Sequence, residues 1–225
     1  SGAAWYQHEI EIPERWEGKH LFFLMERTKT SSVWVDGKFV GSQNSLTTSH
    51  RYELSKFLTP GKHLLSVCIN NAVRPPLGDS HQVSDHTQTN WNGILGRIEL
   101  QAKDEIYMTD VQAFPDVEAQ KINLRIRFNE GCKGKLFVTA DAINTSTPHH
   151  LVHELDYANI PGTDFCETVI YLGDSMQVWD EFSPVLYRLK IDFNGEIRET
   201  DINDSNKLTN ENIKVTSFHD SKELN

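Results

Sequence analysis

The densest run of groups able to do chemistry is Asp79-Ser80-His81-Gln82-Val83-Ser84-Asp85-His86-Thr87-Gln88-Thr89-Asn90-Trp91-Asn92. Planar amides and carboxylates hydrogen-bond to hydroxyl groups, and aromatic rings cover C–H faces. Asp85, His86, Gln88, Asn90, Trp91 and Asn92 supply all of these groups, so the segment has the residue types of a sugar-recognition loop. A packed loop whose polar groups satisfy one another and the backbone is the bland alternative, and the two readings are compatible. Ser80, His81 and Asp85 also match the residue types of a hydrolase triad, but no G-x-S-x-G elbow exposes the serine.

Other chemical motifs are weaker. His149-His150-Leu151-Val152-His153 lacks the glutamate of H-E-x-x-H and follows Pro148, which reads as a solvated loop and not a metal site. Cys68, Cys132 and Cys166 are odd in number and widely spaced, so isolated thiols are expected, with a Cys132–Cys166 bridge as the alternative. No cofactor and no catalytic residue is expected within the chain.

Lys plus Arg number 22 against 32 Asp plus Glu, a net charge of −10, which argues against a nucleic-acid surface. No apolar run approaches the roughly 20 residues that cross a bilayer, so no membrane partner is expected. The N-terminus lacks the basic and apolar regions of a signal peptide. The compartment stays open, with a secreted or periplasmic setting favoured over the cytoplasm.

The elements that would position these residues are strands. Trp5 to Ile12 is rich in strand formers and closes at Pro13. His20 to Met25 is almost continuously apolar, the pattern of a central strand buried on both faces. Asp36-Gly37 between Ser31–Val35 and Lys38–Gly41 predicts a primed hairpin turn, with Val35 opposite Lys38, Trp34 opposite Phe39 and Val33 opposite Val40. Leu54 to Leu58 permits one helical turn, and Leu64 to Ile69 returns as a strand. Trp5, Trp16 and Trp34 are expected in the core or at its rim.

After the charged junction Lys103-Asp104-Glu105, Tyr107 to Phe114 reads as a strand turned by Pro115-Asp116. Ile122, Leu124, Ile126 and Phe128 alternate with polar residues, as do Val185, Tyr187, Leu189, Ile191 and Phe193. Further strands are expected at Leu136 to Ala140 and Thr168 to Leu172, and Asn194-Gly195 offers a second primed turn. The polar tail beyond Thr200 reads as a linker stub. Short strands with regular turns and no helical stripe indicate an all-β chain.

Several of these stretches resemble, in order, the N-terminal domains of family 2 glycoside hydrolases, the β-galactosidase, β-glucuronidase and β-mannosidase group. Val-Trp-Val-Asp-Gly-Lys-Phe-Val-Gly at 33–41 is similar to the family's "V-W-V-N-G-K-x-V-G" hairpin. Gly93-Ile94-Leu95-Gly96-Arg97-Ile98-Glu99-Leu100 resembles "G-I-x-R-x-V-x-L", and Trp179 to Leu189 resembles "W-x-P-x-x-P-x-L-Y-x-L" without its first proline. The resemblance implies two β-sandwiches: a galactose-binding-like jelly roll at 1–102, with N-terminal strands truncated, and an immunoglobulin-like sandwich at 103–200. Residues 201–225 would lead toward a catalytic barrel.

It further implies β-glycoside as the carbohydrate partner and retaining hydrolysis by two barrel glutamates. The dipeptides Asn129-Glu130 and Asn210-Glu211 mimic the family's acid/base signature but lie outside any barrel. The family's loop contact, an aspartate six residues before the Gly-Ile pair, is replaced here by Thr87, with Asp85 two residues earlier. A stand-alone carbohydrate-binding or adhesion module is the alternative. A truncated sheet edge would favour a homo-oligomer.

Overall fold

The computed structural model describes residues 2–72, 93–131, 133–158, 165–193, 196–202 and 221–223. The chain divides into two compact units, Ser1–Glu105 with His219–Asn225, and Ile106–Phe218. Among the described residues the regular structure is strand throughout, apart from one 3₁₀ turn at Glu14–Trp16.

The first unit contains β1 (Ala3–Ile12), β2 (His20–Met25), β3 (Thr30–Val35), β4 (Lys38–Gln43), β5 (His50–Glu53), β6 (Gly61–Asn70) and β7 (Ile98–Lys103). One antiparallel sheet has the order β1-β6-β3-β4, and β2 is central in the other, between β7 and β5. The continuous apolar run explains that place: Leu21, Phe23 and Met25 are buried in the core, while the outward Phe22 ring is capped by the Arg51 guanidinium at 3.8 Å. Leu54 to Leu58 forms the single expected turn, closed by Leu58 N–H donating to Leu54 O at 3.0 Å.

Asp36 and Gly37 take φ of 49° and 75°, as a primed turn requires. Val35 faces Lys38 and Trp34 faces Phe39 as expected, but Val33 pairs with Gly41 and not with Val40. A bulge absorbs Val40, which packs against the core, and the bare Gly41 lies beneath the Tyr52 ring, 3.7 Å from where its Cβ would be. Trp16 is in the core, whereas Trp5 is 60% exposed. Ile10 and Ile12 take the inward positions of β1, so the strand alternation sends Trp5 to the outer face, where its ring centroid lies 4.9 Å from that of Trp34.

The second unit contains β8 (Met108–Asp116), β9 (Lys121–Phe128), β10 (Lys133–Ile143), β11 (His150–Ala158), β12 (Phe165–Tyr171), β13 (Leu186–Phe193) and β14 (Glu196–Ile202). Its antiparallel sheets run β12-β9-β8 and β11-β10-β13-β14. The alternating residues of β9 and β13 form its core, and Phe128 and Phe193 meet there with centroids 4.6 Å apart. All-β sandwiches are thus what the chain forms.

Three boundaries differ from expectation. Strand β8 continues through Pro115 and Asp116, because an edge strand tolerates a residue without an N–H. His150 to Ala158 is an edge strand paired with β10, not a loop. Its inward positions are Leu151, His153 and Leu155, and the imidazole in the middle, 3.0 Å from Thr168 Oγ1, hides the apolar alternation. Strand β14 runs two residues past Thr200. Cys166 is buried and Cys68 half-buried, while Cys132, Asn194 and Gly195 lie outside the described residues. A last short strand, β15 (Ser221–Glu223), pairs with β7.

Candidate functional site

Asp85, His86, Gln88, Asn90, Trp91 and Asn92 lie outside the described residues, as do Ser80 and His81. What is described is the frame that holds both ends of their segment. On the departing side Asn71 grips the start of β1: Gly2 N–H donates to Asn71 Oδ1 at 2.9 Å and Asn71 N–H to Gly2 O at 3.3 Å. Ala72 N–H donates to Asn70 Oδ1 at 2.9 Å, an Asx-type turn that ends β6.

The returning side is tied to the connection between β2 and β3. Glu26 N–H donates to Arg97 O at 2.9 Å, Gly96 N–H to Glu26 O at 3.2 Å and Leu95 N–H to Arg27 O at 3.3 Å. Over this backbone ladder the Arg97 guanidinium reaches Glu26 Oε1 through Nη2 at 2.7 Å and Nε at 3.1 Å. The Arg97 hydrogen bonds hold the Glu26 carboxyl below the usual glutamate range.

Both glycines of the return have a steric reason. Gly93 sits at φ 88°, where a side chain would be strained. A Cβ on Gly96 would come within 2.4 Å of Glu26 Cβ, so only glycine lets the two segments approach. Thr28 and Lys29 are both buried in the same connection, and Thr28 Oγ1 has no hydrogen-bond partner among the described residues.

Beside this bracket a cavity of about 260 Å³ opens between the sheets, lined by Tyr6, His8, Phe23, Leu65, Ile94 and Ile98 among others. Tyr6 and His8 share the inward side of β1 with Ile10, but they lie beyond the closed part of the core and are exposed. Among the described residues no carboxylate lines the cavity. Its described walls are apolar apart from Tyr6, Gln7 and His8.

The sequence reading missed a buried polar cluster in the same unit. Ser31 Oγ lies 2.5 Å from His50 Nδ1 and 2.7 Å from Tyr52 OH. The serine and the imidazole are the types of a nucleophile and its base, yet both are completely buried and His50 Nε2 is occupied by the backbone of Ser45 at 2.9 and 3.1 Å. Substrate cannot reach them. Burial pushes the His50 pKa down, and the cluster pins residues 44–49 to the sandwich. The bracket and this cluster left only a charged run, Glu26-Arg27-Thr28-Lys29, and isolated polar residues within strands as sequence signals.

Comparison with known proteins follows the same line. Residues 1–104 match the family model described as glycosyl hydrolases family 2, sugar binding domain. The chain is 21% identical over 168 residues to the β-galactosidase large subunit of Lactobacillus acidophilus, an alignment covering 73% of this chain and 25% of that protein. It is 22% identical over 111 residues to a β-galactosidase of Thermoanaerobacter pseudethanolicus, covering 48% of this chain and 15% of that protein.

Among solved structures, a β-glucuronidase from an uncultured Clostridium species shares the fold with a TM-score of 0.66 at 16% identity, over 90% of this chain and 35% of that one. A β-glycosidase from Bacteroides vulgatus gives 0.63 at 18% identity, over 90% and 25%. The chain thus spans about a quarter or less of the two β-galactosidases it matches. At residues 1–104 the chain thus carries a sugar-binding domain of the glycosyl hydrolases family 2 type.

Proposed function

We propose that this chain is the non-catalytic N-terminal part of a retaining β-glycosidase, in which residues 73–92 reach into and complete a sugar pocket whose reactive carboxylates lie elsewhere in a longer polypeptide. The observation that carries this reading is the Glu26–Arg97 bracket. It fixes the return of a long polar segment with three backbone hydrogen bonds and an ion pair in which two guanidinium N–H groups share one carboxylate oxygen, a degree of preorganisation suited to presenting polar groups to a ligand. In this reading Asp85, His86, Gln88 and Asn90 hydrogen-bond sugar hydroxyls, and Trp91 covers a C–H face. The partners are a β-glycoside and the catalytic domain of the parent chain.

The test compares the 225-residue chain with the parent open reading frame on chromogenic β-galactosides and β-glucuronides. Hydrolysis is expected only from the longer protein. Within it, Asn90→Ala or Trp91→Ala should raise KM about tenfold, equivalent to ~1.4 kcal/mol of lost substrate binding, with little change in kcat. Glycoside cleavage by the purified 225-residue chain would sink the reading. Unchanged KM in both variants would remove the loop from the pocket.

A further inference from the structure

The second unit carries a concave site of its own. Between the β10–β11 connection and the segment joining β12 to β13 lies a recess of about 430 Å³, within the size range of small-molecule sites. Val178, Pro184 and Val185 give it apolar surface, and Asn144, Ser146 and Asp180 bring polar groups. The Phe182 ring belongs to the same lining and is 89% exposed, an aromatic face that contributes nothing to the core.

The walls are locked in place without using up their hydrogen-bonding capacity. Gln177 N–H donates to Tyr187 OH at 3.1 Å and its Nε2 to Thr147 O at 2.9 Å, while Thr145 Oγ1 donates to Gln177 Oε1 at 2.6 Å. Opposite, Asp180 Oδ1 accepts the N–H groups of Phe182 at 2.8 Å and Ser183 at 2.7 Å, which sets the direction of the Phe182 backbone. Asp180 Oδ2 makes no hydrogen bond to a described residue. Asn144 is held at φ 60°, a left-handed conformation that asparagine tolerates, and its amide makes no hydrogen bond to a described residue.

We infer that this recess is a second carbohydrate-binding site, separate from the segment at 73–92, that takes a neutral saccharide. An amide, hydroxyls and one carboxylate match vicinal sugar hydroxyls, and the exposed phenyl ring matches a pyranose C–H face. Charge narrows the class. Among the described residues no lysine or arginine lines the recess and Asp180 places an anion in it, so a uronic acid, phosphate or sulfated sugar meets repulsion without a counter-charge.

The experiment uses the full 225-residue chain with lactose, cellobiose and methyl β-glucuronide as probes, followed by amide chemical shifts. Saturable shifts at Asn144–Ser146 and Val178–Ser183 with lactose or cellobiose, and at least tenfold weaker response to the glucuronide, are expected. Phe182→Ala should weaken neutral-sugar binding at least tenfold, and its exposure leaves folding untouched. Asn144→Gly keeps the left-handed backbone, removes the amide and should weaken binding several-fold, while Asp180→Asn should narrow the gap to the glucuronide.

Absence of saturable shifts for both neutral sugars overturns the inference. So does binding that Phe182→Ala leaves intact, or shifts confined to the first unit that disappear in Trp91→Ala. That last outcome would still support the reading of residues 73–92, so the two proposals fail separately.

Discussion

Thr28, Lys29, Ser31, His50, Ser66, Glu99 and Lys103 are the buried polar and charged side chains of the described residues, and all belong to the first unit, whereas the core of the second runs from Met108 to Phe193 through aliphatic and aromatic groups. Buried polar groups add little net stability but fix one arrangement, because any other leaves them unpaired. In the first unit Thr28, Lys29, Ser31 and His50 lie on or beside the connection that follows Glu26, while Ser66 lies on β6 and Glu99 and Lys103 on β7. Both units are thus built on an apolar core, and the first adds buried polar groups that pin its frame.

The largest expected effect tests the core of the second unit. Phe193→Ala removes a ring that is buried against Phe128 and should cost about 3–5 kcal/mol, read as faster hydrogen exchange throughout β9 and β13. A loss confined to the neighbours of Phe193 would mean that the second core is not one cooperative body.

Gly96→Ala tests the frame. The new Cβ is driven against Glu26, and the strain should cost about 1–3 kcal/mol, with the amides of Leu95 and Arg97 losing exchange protection first. Equal protection in variant and parent would show that the close approach is not what holds the return.

The smallest effect is in pH. Burial lowers the His50 pKa, so the folded chain keeps the ring neutral while the unfolded chain takes up the proton. The contribution is fully present above the ordinary histidine pKa of 6.5 and is lost as pH falls toward the folded value. The slope is at most about 1.4 kcal/mol per pH unit for one proton. Unfolding of the first unit should become easier as pH falls through the ordinary histidine pKa of 6.5, and His50→Gln should flatten that dependence. An identical pH dependence in the variant would separate His50 from it.

Much of the strand framework was legible because it rests on local patterns. The alternations of β9 and β13, the apolar run of β2 and the Asp36-Gly37 turn each lie within a dozen residues. What escaped depends on distant partners. The bulge at Val40 answers to Tyr52, strand β11 hides behind His153, and the Glu26–Arg97 pair joins residues 71 positions apart. For the candidate site, sequence supplied the residues between 85 and 92, and the structure supplies the frame at either end. The recess near Phe182 was not legible, since the connections at 144–146 and 177–185 meet only after β10 and β13 have paired.

The tryptophans of the outer face carry a consequence for observing this protein. The Trp5 and Trp34 indoles, 4.9 Å apart and inclined by 38°, reach toward each other across β6. Two transition dipoles so close and so inclined couple as an exciton pair, giving the first sandwich an optical signature that exists only while β1, β6 and β3 keep their alignment. The chain carries its own dichroic gauge of strand order, with no label attached.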